Sequence, residues 1–422
     1  MHLLIAGKSA FARVVDGKEV PISVAGHTVQ FTRPLLSYAL ARGARVSYMY
    51  PLAASESDCL IFDPDDSVPD GVAEVPFTDH VANKSPVRLG WISVEASLRR
   101  AVAAHGPIDW VVLASTFPLA TVLARLKPLY GYRLALFVRG HDGYQWLDPE
   151  GVASALGDPA QAGHLADIYR ESMLAADFVA VASEWLGGVV AAHGARWDMV
   201  VESPAATGQG RWDKRSLVDD PGVVVRYGAP DPSRKWLLTA GRMHADKHLD
   251  LAAEIFDAAR PEGWQLVVAG TGAGPDPGLG RLARDGLACV LEVPPRIIHG
   301  LFQAGDAYLQ TSLPTPSFVD ARPSSVTSAA FHGLPVVLPV GTAGGAEESV
   351  ARENVAAFGF DAAGLDPADP GDRALLVRRG CAAVRLLSDA ERVTKAGAAN
   401  AAYAAGSSVD AVFGRMAAAM GW

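Results

Sequence analysis

Short, continuous apolar runs alternate with amphipathic helical patterns along nearly the whole of this 422-residue chain, and that alternation constrains the fold more than any other feature. A strand covered on both faces reads as an unbroken apolar run, and joining two parallel strands takes a crossover of helical length. The pattern therefore predicts an α/β fold of doubly wound parallel sheets covered by helices. In the first half, the runs at 3–7, 45–50, 109–114, 133–138 and 177–182 read as strands. A helix is expected over 27–42, with Val29, Leu35, Leu36, Ala39 and Leu40 on one side and Gly43 as its stop. Ser183 stands where a helix N-cap belongs. The second half repeats the architecture, with runs at 236–240, 265–269, 307–310 and 336–338, but shows no detectable repeat of sequence. After Pro370 come two helical segments, one ending near Leu387 and one near the C-terminus, the last free to pack back on the first domain. The stretch 204–220 mixes Gly, Pro, Ser and charge and reads as the linker. The expected division is a first domain over 1–210, joined by a terminal helix at about 405–422, and a second domain over 221–404.

With 50% hydrophobic and 20% charged residues, the chain can bury two sizeable cores. A net charge of -9 and the lack of a long basic run speak against non-specific nucleic-acid binding. Cys59, Cys289 and Cys381 lie far apart and form no CxxC pair, which fits a reducing compartment and gives no structural zinc site. The amino-terminal apolar run is too short for a signal peptide, and no stretch reaches the length of a membrane span. The expectation is a soluble, cytoplasmic protein with no nucleic-acid partner and no stable membrane association; a homodimer is left open.

The densest chemistry is Gly241-Arg242-Met243-His244-Ala245-Asp246-Lys247, directly after the run at 236–240. A buried strand that ends in Gly-Arg, with Lys five positions after the Arg, can aim two cations at one point beyond the strand's carboxyl end. Ligands sit there in open α/β sheets, and two cations beside helix N-termini suit a diphosphate. Ordinary surface charges on a strand-to-helix loop are the other reading. Gly26 precedes a helix after the loop at 8–26, so backbone there could approach a phosphate, or simply turn. His141 follows the strand at 133–138, where an imidazole could bond a sugar hydroxyl or a phosphate, or serve only packing.

The segment 314–350 is the richest in anion-friendly features. Pro323, Ser324 and Ser325 stand where a helix should begin, so free backbone amides could face an anion, with capping by Ser324 as the plainer alternative. A Gly-rich loop at 341–348 follows the next strand, and both loops should open on the edge that carries Arg242 and Lys247. The Gly270-Thr271-Gly272-Ala273-Gly274 run lacks dinucleotide-fingerprint spacing and meets Pro275, so it reads as a loop beside the cleft. Asp63-Pro64-Asp65-Asp66 reads better as a turn than as a metal site, and no HExxH, Walker loop or G-x-S-x-G occurs.

Taken together, these elements resemble the retaining, nucleotide-sugar-dependent glycosyltransferases of family four, which have the GT-B fold. The resemblance spans nearly the whole chain. It rests on the Gly26 loop and its helix, on the run from Ala176 to Glu184, and on Gly241-Arg242 with Lys247. It continues through the run from Phe302 to Leu309, His332-Gly333-Leu334-Pro335-Val336-Val337, Gly344-Gly345 with Glu348, and Arg352-Glu353-Asn354. It implies two Rossmann-like domains facing a cleft and a terminal helix that crosses back to the first. It also implies transfer of a hexose-like sugar from a nucleoside-diphosphate sugar, without metal or cofactor, to an acceptor. By that resemblance Arg242 and Lys247 hold the donor diphosphate, Gly26 belongs to the first-domain phosphate loop, and His141 contacts the donor sugar.

The chain departs from the family where paired glutamates stand eight positions apart, for here they are Asp320 and Ser328. Asp320 can still accept hydrogen bonds from sugar hydroxyls, whereas Ser328 cannot grip a ribose diol as a carboxylate does. Arg322 adds a cation beside the donor. The expected catalytic set is His141, Arg242, Lys247 and Asp320, and the expected donor-binding set is Gly26, Arg242, Lys247, Arg322, Ser324, Ser325 and Ser328. A small polar acceptor in specialised metabolism fits the unusual donor motif, with aromatic Tyr144 and Trp146 as candidate walls. A catalytically silent nucleotide-binding protein, a phosphorylase and a sugar-nucleotide epimerase are the alternatives.

Overall fold

The buried apolar runs become two parallel sheets, one in each half of the chain. The structure, a computed structural model, describes residues 1–7, 12–15, 18–21, 31–52, 68–78, 91–113, 119–139, 147–148, 150, 153, 159–208, 210–241, 247–270, 277–293, 297–314 and 319–422. It divides into one unit of Met1–Ser203 with Val409–Trp422 and a second of Pro204–Ser408.

In the first unit, β1 (His2–Ala6) precedes the antiparallel pair β2 (Ala12–Val15) and β3 (Lys18–Pro21), helix α1 (Arg33–Ala41), β4 (Arg45–Met49) and β5 (Pro51–Leu52). Then come β6 (Val72–Glu74), β7 (Phe77–Thr78), α2 (Trp91–His105), β8 (Trp110–Leu113), α3 (Leu119–Tyr130) and β9 (Arg133–Val138). The helices α4 (Pro159–Ala175) and α5 (Glu184–Ala192) flank β10 (Phe178–Val181), and β11 (Met199–Val200) is the last strand before the chain leaves this unit. The sheet order is β11-β10-β9-β8-β1-β4-β6, every pair parallel. Ser183 caps α5 as expected, its hydroxyl accepting from the Leu186 amide at 3.2 Å. Helix α1 begins later than expected, at Arg33, with Pro34 in its first turn, where a missing N–H costs nothing. Gly43 ends it at φ 74°.

The second unit runs through α6 (Lys214–Val218), β12 (Val224–Tyr227), β13 (Lys235–Ala240), α7 (Leu249–Ala259), β14 (Trp264–Ala269), α8 (Pro277–Arg284) and β15 (Ala288–Glu292). It continues with α9 (Ile298–Ala304), β16 (Ala307–Leu309), α10 (Ser324–Phe331), β17 (Val336–Val340), α11 (Arg352–Phe358), β18 (Gly359–Asp361), α12 (Pro370–Arg385) and α13 (Ala390–Ala404). The order is β12-β15-β14-β13-β16-β17-β18, parallel except for β12, which runs antiparallel to β15.

Three sequence expectations change here. The stretch read as a linker lies inside the second unit: Leu217 is fully buried in its core, Trp212 packs against it, and Lys214 pairs with Asp306 at 2.6 Å. Three helices, not two, follow Pro370, because the chain breaks at 405–408 before the last, α14 (Val409–Met420). That helix belongs to the first unit, where Phe413 meets Phe31 edge-on at 5.2 Å and Tyr38 at 5.7 Å. Strand β12 has no run to announce it, since all four of its residues are exposed.

A pair of buried amides fixes the start of β17. Asn354 accepts from the Val336 amide and donates to the Val336 carbonyl, both at 2.8 Å. Asn400 donates to the Leu334 carbonyl and to Asn354 Oδ1, and accepts from the Ala351 amide. Cys289 and Cys381 are buried free thiols, and burial pushes the Cys289 thiol up to about 12. Among the described residues, no helix is long and apolar enough to cross a membrane.

Candidate functional site

Each sheet reverses its direction of growth at one place, between β1 and β8 in the first unit and between β13 and β16 in the second. Ligands of open α/β sheets bind beyond the carboxyl ends of the strands at such a point. In the second unit, the residues that the sequence singles out gather there.

The site starts where β13 ends. Gly241 follows β13, and a Cβ on it would lie 3.5 to 3.8 Å from three carbons of the Lys247 side chain. The lysine stem thus crosses directly over the glycine backbone. Two further features fix its course. Thr311, after β16, donates its hydroxyl to the Lys247 carbonyl at 3.1 Å. His248 turns the chain into α7 with φ 46°, a left-handed conformation that glycine occupies more readily. Lys247 Nζ then meets Asp320 Oδ2 at 2.6 Å, the two side chains 19% and 21% exposed. Asp320 is steadied from the other side by the loop after β17: Gly344, at φ 116°, would place a Cβ 2.7 Å from the Asp320 carbonyl oxygen. The Gly-rich loop therefore abuts the ion pair, as the sequence reading expects.

Tyr308, on β16, forms the floor. Its hydroxyl lies 3.2 Å from both the amide and the carbonyl of Ala240, the last residue of β13, and shares a hydrogen bond with Ser325. Burial pushes its phenol up to about 12; the bonds to Ser325 and Ala240 oppose that shift, and the charge of Asp320 adds to it. One phenol thus ties the end of β13 to the first turn of α10. Helix α10 begins as expected, with Pro323 at its N-cap, a residue whose side chain cannot cap, and with the amides of Val326 and Thr327 bonded back to the Pro323 carbonyl. Arg322 stands immediately before, its Nε buried and without a hydrogen-bond partner among the described residues.

Ser328 is placed differently from its neighbours. It is 1% exposed, and its hydroxyl accepts from the Ala206 amide at 2.9 Å while donating to the Ser324 carbonyl at 2.8 Å. One turn on, His332 Nε2 lies 2.9 Å from the Ala206 carbonyl oxygen, and burial holds its imidazole below the usual range. An N–H must point at that carbonyl, so the neutral ring carries its proton on Nε2. Two side chains of α10 thus hold both polar groups of one peptide residue.

The structure brings together Lys247, Asp320, Arg322, Ser324 and Ser325, and it sets Ser328 one turn deeper. Gly26, His141 and Arg242 lie outside the described residues, as do the Asp63 turn, Tyr144, Trp146 and 271–276. Sequence reasoning missed Tyr308, Thr311 and His332, whose roles come from contacts at long sequence separation. It also passed over Arg139, which directly follows β9, lies 3.9 Å over the Phe31 ring and donates to Ser203 Oγ. Its signal was available: a cation directly after a buried strand, two residues before His141. Among the described residues, no group of three His, Cys, Asp or Glu is placed to hold a metal ion.

No protein-family model matches this chain, and no curated protein sequence matches it. Solved structures do match over its full length. Sucrose-phosphate synthase from Thermosynechococcus elongatus superposes with a TM-score of 0.64 at 13% identity, covering 99% of this chain and 98% of that one. Anabaena HepE in complex with UDP gives 0.62 at 13% identity, covering 100% of each chain. A UGT transferase from Siraitia grosvenorii in complex with UDP gives 0.54 at 13% identity, again covering 100% of each. With two Rossmann-like units built on parallel sheets, the chain has the α/β fold of the GT-B glycosyltransferases.

Proposed function

We propose that this protein is a glycosyltransferase that moves a hexose-like sugar from a nucleoside-diphosphate sugar to a small polar acceptor, with retention at the anomeric carbon. The observation that carries the reading is the Lys247–Asp320 pair at the strand-order reversal of the second sheet. Several structures that share the fold hold UDP, which supports a nucleotide-sugar donor.

Breaking the bond from the anomeric carbon to the diphosphate leaves an oxocarbenium-like sugar and builds negative charge on the departing group. Preorganised cations and amides aimed at that charge stabilise the transition state without a metal. Lys247 supplies one cation, with its stem fixed over Gly241 and its carbonyl held by Thr311. Arg322 and the first amides of α10, at Ser324 and Ser325, extend the same positive edge. Asp320 accepts hydrogen bonds from sugar hydroxyls. Arg242, Gly26 and His141 complete the donor site by resemblance, and Ser328 serves it through the placement of α10. Retention and the acceptor class also come from the resemblance, and a cytoplasmic role in specialised metabolism goes with them.

The test is release of nucleoside diphosphate from a panel of UDP-, GDP-, ADP- and dTDP-sugars with pooled small acceptors. Lys247→Ala should cut turnover about 100-fold or more, the scale of losing one preorganised charge contact. Wild-type turnover in that variant would remove Lys247 from the mechanism. The engagement of Ser328 inside the protein favours one second reading, a nucleotide-binding protein without transfer activity. Tight nucleotide binding with no product from any donor would identify it.

A further inference from the structure

Asp320 holds the cation that a diphosphate would need. The bond is 2.6 Å long, and each side chain is about four-fifths buried, so the two charges are only partly screened by water. The backbone on both sides of the pair is also engaged: Thr311 donates to the Lys247 carbonyl, and Gly344 packs closely on the Asp320 carbonyl oxygen.

We infer that the Lys247–Asp320 pair makes this site favour the sugar-bearing donor over the spent nucleoside diphosphate. The inference rests on the glycosyltransferase reading above and adds a selection rule to it. A diphosphate that takes Lys247 strips the carboxylate of its cation and sets two anions side by side, which opposes binding. A donor that still carries its sugar brings hydroxyl groups, and these donate hydrogen bonds to the carboxylate in place of the lost ammonium. The sugar thus compensates what the phosphate displaces, and a bare diphosphate has no such compensation. Ser328 sharpens the rule: with a hydroxyl already engaged by Ala206 and Ser324, it supplies no second carboxylate that would hold the nucleotide by its ribose whether or not the sugar is present. Product release follows from the same geometry, because loss of the sugar restores the competition for Lys247.

The measurement is the Kd, in wild type and in Asp320→Asn, of whichever of UDP, GDP, ADP and dTDP binds most tightly. The Kd of that nucleotide's tightest glucose, galactose, mannose or N-acetylglucosamine ester is measured beside it. The amide keeps the shape and removes the charge. The expected result is opposite signs, with the bare diphosphate binding about tenfold more tightly in the variant and the sugar ester binding no better or worse. Asp320→Ser, also uncharged, should repeat the gain for the bare diphosphate if the asparagine variant folds poorly. Equal weakening of both ligands would mean that Asp320 only holds Lys247 in place, and unchanged affinities would mean that the pair does not gate binding; either overturns the inference and leaves the donor site standing. Binding of no nucleotide by the wild type would remove the glycosyltransferase reading and the inference with it.

Discussion

Six strands of each sheet share one order, with a parallel seventh strand on one sheet and an antiparallel one on the other, but the sheets differ in what holds their described edges together. In the first unit the joint is largely apolar and aromatic: Phe31 is packed by Phe413, Tyr38 lies alongside, and Arg139 stacks on the same ring. In the second unit the joint is polar and directional, running from Ala240 through Tyr308 to Ser325, from Lys247 to Asp320, and from Val336 through Asn354 to Asn400. Apolar patterning suffices to set the order of the buried parallel strands, and so two halves without detectable sequence repeat agree over six strands. Directional bonds are what set individual polar groups to within a fraction of an ångström, as charge recognition requires.

The contrast can be broken most forcefully through the terminal helix. Phe413→Ala should destabilise the first unit by about 3–5 kcal/mol, the range for losing a fully packed aromatic side chain. Hydrogen exchange read by fragment should then show β1 and β8 losing protection while β13 and β16 keep theirs. Equal loss in both units would mean that the terminal helix does not act on the first unit alone. Asn354→Ala comes next, at about 2–3 kcal/mol, because it leaves the Val336 amide and carbonyl buried without partners. Here β17 should lose protection first, and an unchanged urea midpoint would show that the amide network is dispensable.

Tyr308→Phe sharpens the comparison at the site itself. Loss of the hydroxyl should lower stability by only about 1 kcal/mol, yet weaken nucleotide binding more than Phe413→Ala does, since it frees the first turn of α10 from β13. If binding is untouched, the phenol is a floor and nothing more. The smallest effect is that of pH. Burial holds the imidazoles of His2, His248 and His332 below their ordinary range, so the unfolded chain takes up these protons at a higher pH than the folded one. Their contribution to stability is full above the unfolded value of about 6.5 and falls as pH drops through it. Urea midpoints should therefore decline from pH 7.5 to 5.5, and His332→Gln should flatten the decline in the second unit only. Midpoints that rise toward pH 5.5 would contradict the sign.

The parts legible in the sequence are those that follow from local pattern. Buried strands such as β13 and β14 show as unbroken apolar runs, the Ser183 cap shows as a serine after a strand, and the start of α10 shows as Pro323 before two serines. Lys247 was singled out as a cation just after a buried strand, but its pairing with Asp320, 73 positions on, was not. What the pattern could not show depends on partners far along the chain. Ser328 looks like a binding residue until Ala206, 122 positions away, is seen to engage it. The stretch at 204–220 looks like a linker because its Gly, Pro and charge content hides Leu217 and Trp212, whose burial draws it into the second unit. Strand β12 escaped notice because an exposed edge strand carries no buried run at all.

The proposed donor site puts the diphosphate of a nucleotide sugar at the second sheet's reversal point, with Lys247 at its edge. Calorimetric titration of the wild type and of Lys247→Ala with UDP, GDP, ADP and dTDP tests it most directly. At least one diphosphate should bind the wild type, and the same one should lose about tenfold or more in the variant. Binding of none of the four, or equal binding by both proteins, would contradict it.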